Sequence, residues 1–251
     1  VITATDTSTI AATIGTGAGA LGAGAVGGAV AIGVAIAQNL IGYTTSGTAD
    51  PAEVQAYVKN ASIDAVGELS LTADADQTIS ATVVAGSVAI AAGIVAIGGA
   101  GAGASTRNRI KTWIKAFIDG DAPTDGEVSG ISAAGISLLA DDDSTITATT
   151  GSAAVAVTIG FVSGSVAIGV GVAKNDIANE VEAYIVNAGD VKATGSGGIT
   201  IWATDSATIK STAVAASAAL SVGWAGLSVS GAGVDAVNLI GTVTHAYVED
   251  S

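Results

Sequence analysis

The pentapeptide T-I-x-[AS]-T recurs four times along the 251-residue chain, as Thr9-Ile10-Ala11-Ala12-Thr13, Thr78-Ile79-Ser80-Ala81-Thr82, Thr145-Ile146-Thr147-Ala148-Thr149 and Thr208-Ile209-Lys210-Ser211-Thr212. Its isoleucines lie 69, 67 and 63 residues apart, and 29 residues after each comes an asparagine: Asn39, Asn108, Asn175 and Asn238. An Ala-aromatic-[VI] triplet follows the second, third and fourth isoleucines at 38 residues, centred on Phe117, Tyr184 and Tyr247. In the first copy Tyr57 comes 47 residues after Ile10, displaced by a segment containing TSGTADPA, whose Gly, Pro and Ser mark a surface loop. A unit of this kind cannot bury its apolar face alone and must stack on its neighbours. The sequence therefore predicts one elongated repeat array over residues 1–251, with units of approximately 1–73, 74–140, 141–203 and 204–251. Ile2–Asp6 resembles Ile201–Asp205, so the array begins inside a unit and reads as an excerpt of a longer chain.

Three structures compete for Gly15–Asn39. Gly17, Gly19 and Gly22 stand in G-x-G-x-x-G order, but at the equivalent offset the other copies read VAGSVAIA, GSAAVAVT and VAASAALS and do not repeat the set, so the pattern is a local accident of Gly and Ala. Residues 7–49, 77–106, 144–173 and 211–234 are free of charge and long enough to span a bilayer. Gly15–Gln38, however, holds eight glycines, each costing roughly 1 kcal/mol in a helix. Period decides the matter. Val30, Ile32, Val34 and Ile36 alternate with Ala and Gly, as do Val155, Val157, Ile159 and Phe161, and then Val166, Ile168, Val170 and Val172. A spacing of two gathers large residues on one face of a strand and scatters them around a helix.

The predicted fold is all-β, a repetitive β-solenoid-like stack of four units, with a β-sandwich or hairpin stack of the same period as the alternative. The Val/Ile face is expected to form the core, and the Ala/Gly face to admit a second sheet or a neighbouring rod. Because a solenoid repeat is usually about 20–45 residues, each unit is expected to hold two or three rungs. Stacking would turn the asparagines into a hydrogen-bonded ladder, since a buried amide left unpaired costs about 1–3 kcal/mol. Tyr57, Phe117, Tyr184 and Tyr247 would form an aromatic stack.

The sequence contains no Cys or Met, which excludes disulfides, thiol catalysis and Cys-based metal sites. A net charge of −14 argues against nucleic-acid binding, which needs clustered cations. His245 is the single histidine, and Gln55, Lys115 and Glu182 replace it in the other copies, so no catalytic set is offered and no enzyme activity is expected. The chain implies no cofactor apart from calcium, for which Asp119, Asp121, Asp125 and Glu127 form an oxygen-rich candidate loop without EF-hand spacing. The acids Asp141, Asp142, Asp143, Asp74 and Asp76 precede the Thr-Ile motif, where a column of like charge must be exposed or bridged. Arg107, Arg109, Lys111 and Lys115 surround Trp113, either as a charged interruption against aggregation or as a dock for an acidic patch or an anionic glycan. Thr9, Thr13, Thr78, Thr82, Thr145, Thr149, Thr208 and Thr212 would stack as two columns, a regular surface suited to ice or crystalline polysaccharide, although Thr is also ordinary strand chemistry.

The units V-x-A-x-G-x-I-x-I-x-A, seen over Val191–Ala203, together with SVAIGVGVAKNDI and VEAYIVNA, resemble repeats of giant bacterial exoproteins of the filamentous-haemagglutinin and autotransporter-passenger kind. That resemblance implies a secreted or cell-surface β-solenoid, a structural fibre or adhesin stalk whose partners are its own repeats and further copies of itself. A glycan- or ice-binding surface and a membrane-inserted β assembly are the alternatives; charge-free strands would permit the latter, but insertion is the less favoured reading.

Overall fold

The computed structural model describes residues 1–121 and 130–251, and its ordered elements there are strands. Copy one contributes β1 (Ile2–Asp6), β2 (Thr9–Ala23), β3 (Val26–Ile41) and β4 (Ala52–Lys59). Copy two contributes β5 (Ile63–Asp64), β6 (Glu68–Ala75), β7 (Thr78–Ile110) and β8 (Thr112–Asp119). Copy three contributes β9 (Ile131–Asp142), β10 (Thr145–Ile177) and β11 (Glu180–Val186). Copy four contributes β12 (Val191–Asp205), β13 (Thr208–Val222), β14 (Ala225–Ile240) and β15 (Val243–Glu249).

Three parallel sheets result, each receiving strands from every copy. The first runs β1-β6-β9-β12 with β5 beside β9; the third runs β15-β11-β8-β4. The second runs β13-β10-β7-β2, with β14 beside β10 and β3 beside β7. Pairing is residue for residue by repeat position, so Ile10, Ile79, Ile146 and Ile209 are successive neighbours across the second sheet. In the first sheet register shifts between Ala193 and Gly198, and β5 and β6 meet β9 one residue out of step with each other.

Each unit thus forms one rung, not two or three. The length is absorbed by the central stretch, which runs out, folds over, and returns on itself as a second layer. In copies two and three this stretch is a single 33-residue strand, β7 or β10. The outgoing and returning halves face each other through side chains and are not hydrogen-bonded as a hairpin. At roughly 3.3 Å per residue the doubled strand projects about 50 Å, while four rungs at about 4.8 Å stack to only about 19 Å. The chain is therefore long across its stacking axis and short along it, a body carrying a two-layered fin.

Two opposite packing rules operate in these parts. In the body, the first and third sheets enclose Val54, Leu71, Ile114, Ile136, Leu138 and Ile185 with their neighbours, large side chains inside. A row of isoleucines, Ile41, Ile79, Ile110, Ile146 and Ile177, closes the neck where the fin begins. Inside the fin the buried apolar residues are alanines apart from Val83, among them Ala35, Ala89, Ala102 and Ala156, interspersed with small polar residues such as Ser87, Thr158 and Ser165. The expectation that the Val/Ile face forms the core is corrected here: in the fin the Ala/Gly face is inside, and Val30, Ile32, Ile168 and Val170 point outward, Val30 at 71% exposure.

The fin is thin because its layers touch through backbone. A Cβ built on Gly33 would stand 2.3 Å from the Gly86 carbonyl oxygen, and one on Gly169 would stand 2.5 Å from that of Ala216. These contacts join the returning half of one copy to the outgoing half of the next, as does the hydrogen bond between the Thr106 and Thr150 hydroxyls at 2.9 Å. The last returning strand, β14, has no following copy over it and is exposed on both faces. At the tip, Gly24, Gly93, Gly160 and Gly223 lie one above another; a Cβ on Gly93 would come within 2.4 Å of the Gly24 oxygen, and one on Gly223 within 1.8 Å of the Gly160 oxygen. Only glycine allows the strands to bend there in register. A second turn column follows the third sheet, where Asn60, Gly120, Asn187 and Asp250 adopt positive φ of 45°, 78°, 54° and 49°, the residue types that tolerate the left-handed region.

Candidate functional site

The most unusual surface of the molecule is the outer skin of the fin. Leu21, Val84, Val88, Ile90, Ile159 and Leu220 line its outgoing face, all exposed. The returning face carries Val30, Ile32, Val34 and Ile36 from copy one and Val166, Ile168 and Val170 from copy three. Even the tip is apolar: Ile94, Phe161 and Trp224 are exposed, and the last two rings stack with centroids 5.4 Å apart. No charged residue interrupts these faces between the tip and Arg107, Lys174 or Asp235 on the returning strands. Soluble monomers rarely expose contiguous apolar patches above a few hundred Å2, and larger ones mark contact surfaces.

The stacking axis is pinned by two side-chain columns. Asn39 Nδ2 donates to Asn108 Oδ1 at 2.7 Å, Asn108 Nδ2 to Asn175 Oδ1 at 2.7 Å, and Asn175 Nδ2 to Asn238 Oδ1 at 2.8 Å. Each buried amide is satisfied by the next copy, so a slip of one residue would orphan them all. Tyr57, Phe117, Tyr184 and Tyr247 stack nearly parallel with centroid separations of 5.0, 4.9 and 5.1 Å. Such pairs contribute about 0.5–1.5 kcal/mol each beyond burial.

At the corner between the first and second sheets lies a buried polar chain that the sequence does not announce. Gln77 donates to Asp6 at 2.5 Å and accepts from the Thr112 hydroxyl at 2.6 Å. Asn179 accepts from the Thr112 amide at 2.8 Å and donates to Asp142 Oδ2 at 2.7 Å. The Ser144 hydroxyl donates to the other Asp142 oxygen at 2.5 Å. Burial pushes the Asp142 carboxyl up to about 6, against the hydrogen bonds from Ser144 and Asn179 and with help from the charge on Asp205. Next to it, burial and then Asp141, Asp143 and Asp76 hold Asp74 above the usual carboxylate range, as like charges in a column must. Thr204 relieves part of this by donating to Asp141.

Of the calcium candidates, Asp125 and Glu127 lie outside the described residues. Asp119 pairs with Lys59 at 2.9 Å and accepts from Asn187 at 3.0 Å, contacts that hold its carboxyl below the usual range. Asp121 accepts from the Asp190 amide at 2.8 Å. Among the described residues no three carboxylate or histidine side chains are grouped to hold a metal. Of the basic cluster, Arg109 and Lys115 are paired within the stack, while Arg107 is exposed. Arg109 bonds Asp176 at 3.1 Å and lies over the Tyr43 ring, 3.8 Å from its centroid. Lys115 meets Glu180 at 2.7 Å and Glu182 at 2.8 Å; burial opposes its charge, but the two carboxylates hold its pKa above the ordinary value. His245 is largely exposed, 3.7 Å from Glu182. The eight threonines form two columns at the foot of the outgoing face, with Thr9, Thr78, Thr145 and Thr208 in one and Thr13, Thr82, Thr149 and Thr212 in the other.

The tip glycines were missed in the sequence although they carry a signal: each stands 14 residues after the isoleucine of its motif. No protein-family model, curated protein or solved structure matches the chain. Among the described residues no helix is long and apolar enough to cross a membrane.

Proposed function

We propose that the chain is a structural repeat segment, a stretch of β-solenoid serving in the stalk of an extracellular or cell-surface fibre or adhesin and associating with itself through stacked β-sheets. The observation that carries this reading is the parallel register of the copies, residue for residue throughout the second and third sheets and locked in the second by the asparagine ladder. A secreted location draws on the acidic, cysteine-free composition and on the resemblance to bacterial exoprotein repeats. The reading is tested by solution scattering on chains of four, eight and twelve copies. One dimension should grow by about 19 Å per four copies while the cross-section stays constant; growth in all three dimensions, as in a compact globule, would overturn it.

The paired threonine columns favour a second reading, adsorption to ice or a crystalline polysaccharide. Thermal hysteresis that vanishes in Thr82→Val with Thr149→Val supports it, and a chain without hysteresis or polysaccharide binding removes it.

A further inference from the structure

We propose that the returning face of the fin is a lateral docking surface for the same face of a second copy of this chain, aliphatic ridges of one seated over glycine rows of the other. This rests on the structural, self-associating reading above and names its surface and partner. The face is corrugated. Outward positions of copy one are Val30, Ile32, Val34 and Ile36, and their partners in copy two are Gly99, Gly101, Gly103 and Ser105. In copy three they return to Val166, Ile168, Val170 and Val172, opposite Val229, Gly231, Gly233 and Asp235 of copy four. Ridges therefore recur every second rung, about 9.6 Å apart. Between them a groove of about 170 Å3 is walled by Val34, Ile36, Val170 and Val172 and floored by Gly103 and Ser105.

Nothing inside the chain asks for glycine in these rows. A Cβ on Gly103, Gly231 or Gly233 would meet no atom within 4 Å, and one on Gly99 or Gly101 only a methyl or methylene of copy one at 3.8 Å. Glycine weakens a strand and belongs where another surface comes close. Lipid chains need no groove, and an unpaired sheet edge is not tolerated in hydrocarbon. The ridge of a like fin has the matching two-residue spacing along its strand. A two-fold axis along the strands inverts the stacking order, setting the copy-three ridge over the copy-two glycines and the copy-one ridge over copy four. The flat area of the face over residues 95–105, four rungs deep, is roughly 700 Å2 before corrugation, close to the ~800 Å2 per partner of a stable interface. Asp235, at the border of the copy-four row, is the one charge on this face; the rest carries none.

The experiment is sedimentation velocity of the 251-residue chain over a concentration series, beside Gly101→Val with Gly103→Val and beside Ile168→Asp, with thermal melts of each. Filling the groove should weaken association by about tenfold or more while the melting temperature stays level or rises, because Val suits an open strand position better than Gly. Ile168→Asp should abolish association with the melt preserved. Association equal to wild type in both variants overturns the inference. So does a wild-type chain that remains a monomeric slab, which leaves the stacked array standing; uniform growth in the copy-number series would instead sink the array itself. Insertion of the wild type into phosphatidylcholine vesicles, with no lateral association, assigns the face to lipid and overturns the proposal.

Discussion

The body and the fin are made by the same strands of the same four copies, yet they are inside out relative to each other. In the body Leu71, Ile114 and Leu138 are wholly buried; in the fin Val30, Ile32 and Ile97 face solvent and Ala85, Ala91 and Ala156 are wholly buried. The difference teaches what sets the inside of a two-layered sheet. Where two sheets are held apart by corners, as at the Asp142 junction, the space between them is wide enough to need Leu and Ile. Where one strand turns back over a glycine, the layers meet at backbone distance, and apart from Val83 near the neck the buried residues are Ala, Gly, Ser and Thr.

The largest test of this contrast is Leu138→Ala in the body, expected to cost about 2–5 kcal/mol in chemical denaturation; a neutral result would mean that the body is not the stabilising unit. Next comes acidity. The folded Asp142 holds its proton to about 6, whereas the unfolded group releases it near 3.8. Its contribution is therefore complete below that lower value and lost as pH rises through the higher one, by at most about 3 kcal/mol. Melts between pH 4 and 7 should show stability falling with pH, and Asp142→Asn, which keeps an acceptor for Ser144, should flatten the curve. Within the fin, Gly169→Ala should cost about 1–3 kcal/mol and lower hydrogen-exchange protection along β10 and β13, because its new methyl meets the Ala216 carbonyl. The smallest effect should be that of Val170→Thr on the outer skin, within about 0.5 kcal/mol by melting; a larger loss would show that the skin packs against something within the monomer.

Repetition made much of this architecture legible. Ile79, Asn108 and Phe117 have counterparts at fixed offsets, and identical offsets lead to one column each once units stack in register. The two-residue alternation from Val30 to Ile36 identified strands, but alternation names two faces without saying which is inside. The usual preference for burying the larger residue pointed the wrong way in the fin, where the layer gap decides. The rung count was hidden for a related reason: nothing in Gly93 or Gly160 alone distinguishes a fold-over from a flexible link. The polar chain through Gln77, Thr112, Asn179 and Asp142 was legible only in part: Asp6, Asp142 and Asp205 share one offset before the motif, but copy two has Ala75 there, and the positions of Gln77 and Asn179 change residue type from copy to copy.

Each returning half lies against the outgoing half of the copy that follows it, and this offset gives the array a direction of growth. A chain emerging N-terminus first always presents a finished returning strand, Gly33 for instance, as the template on which the next outgoing strand settles, here at Gly86. Every new contact then spans about one unit or less, 44 residues from Thr106 to Thr150 and 69 from Asn39 to Asn108, however long the array becomes. Assembly can proceed as a zipper from one end.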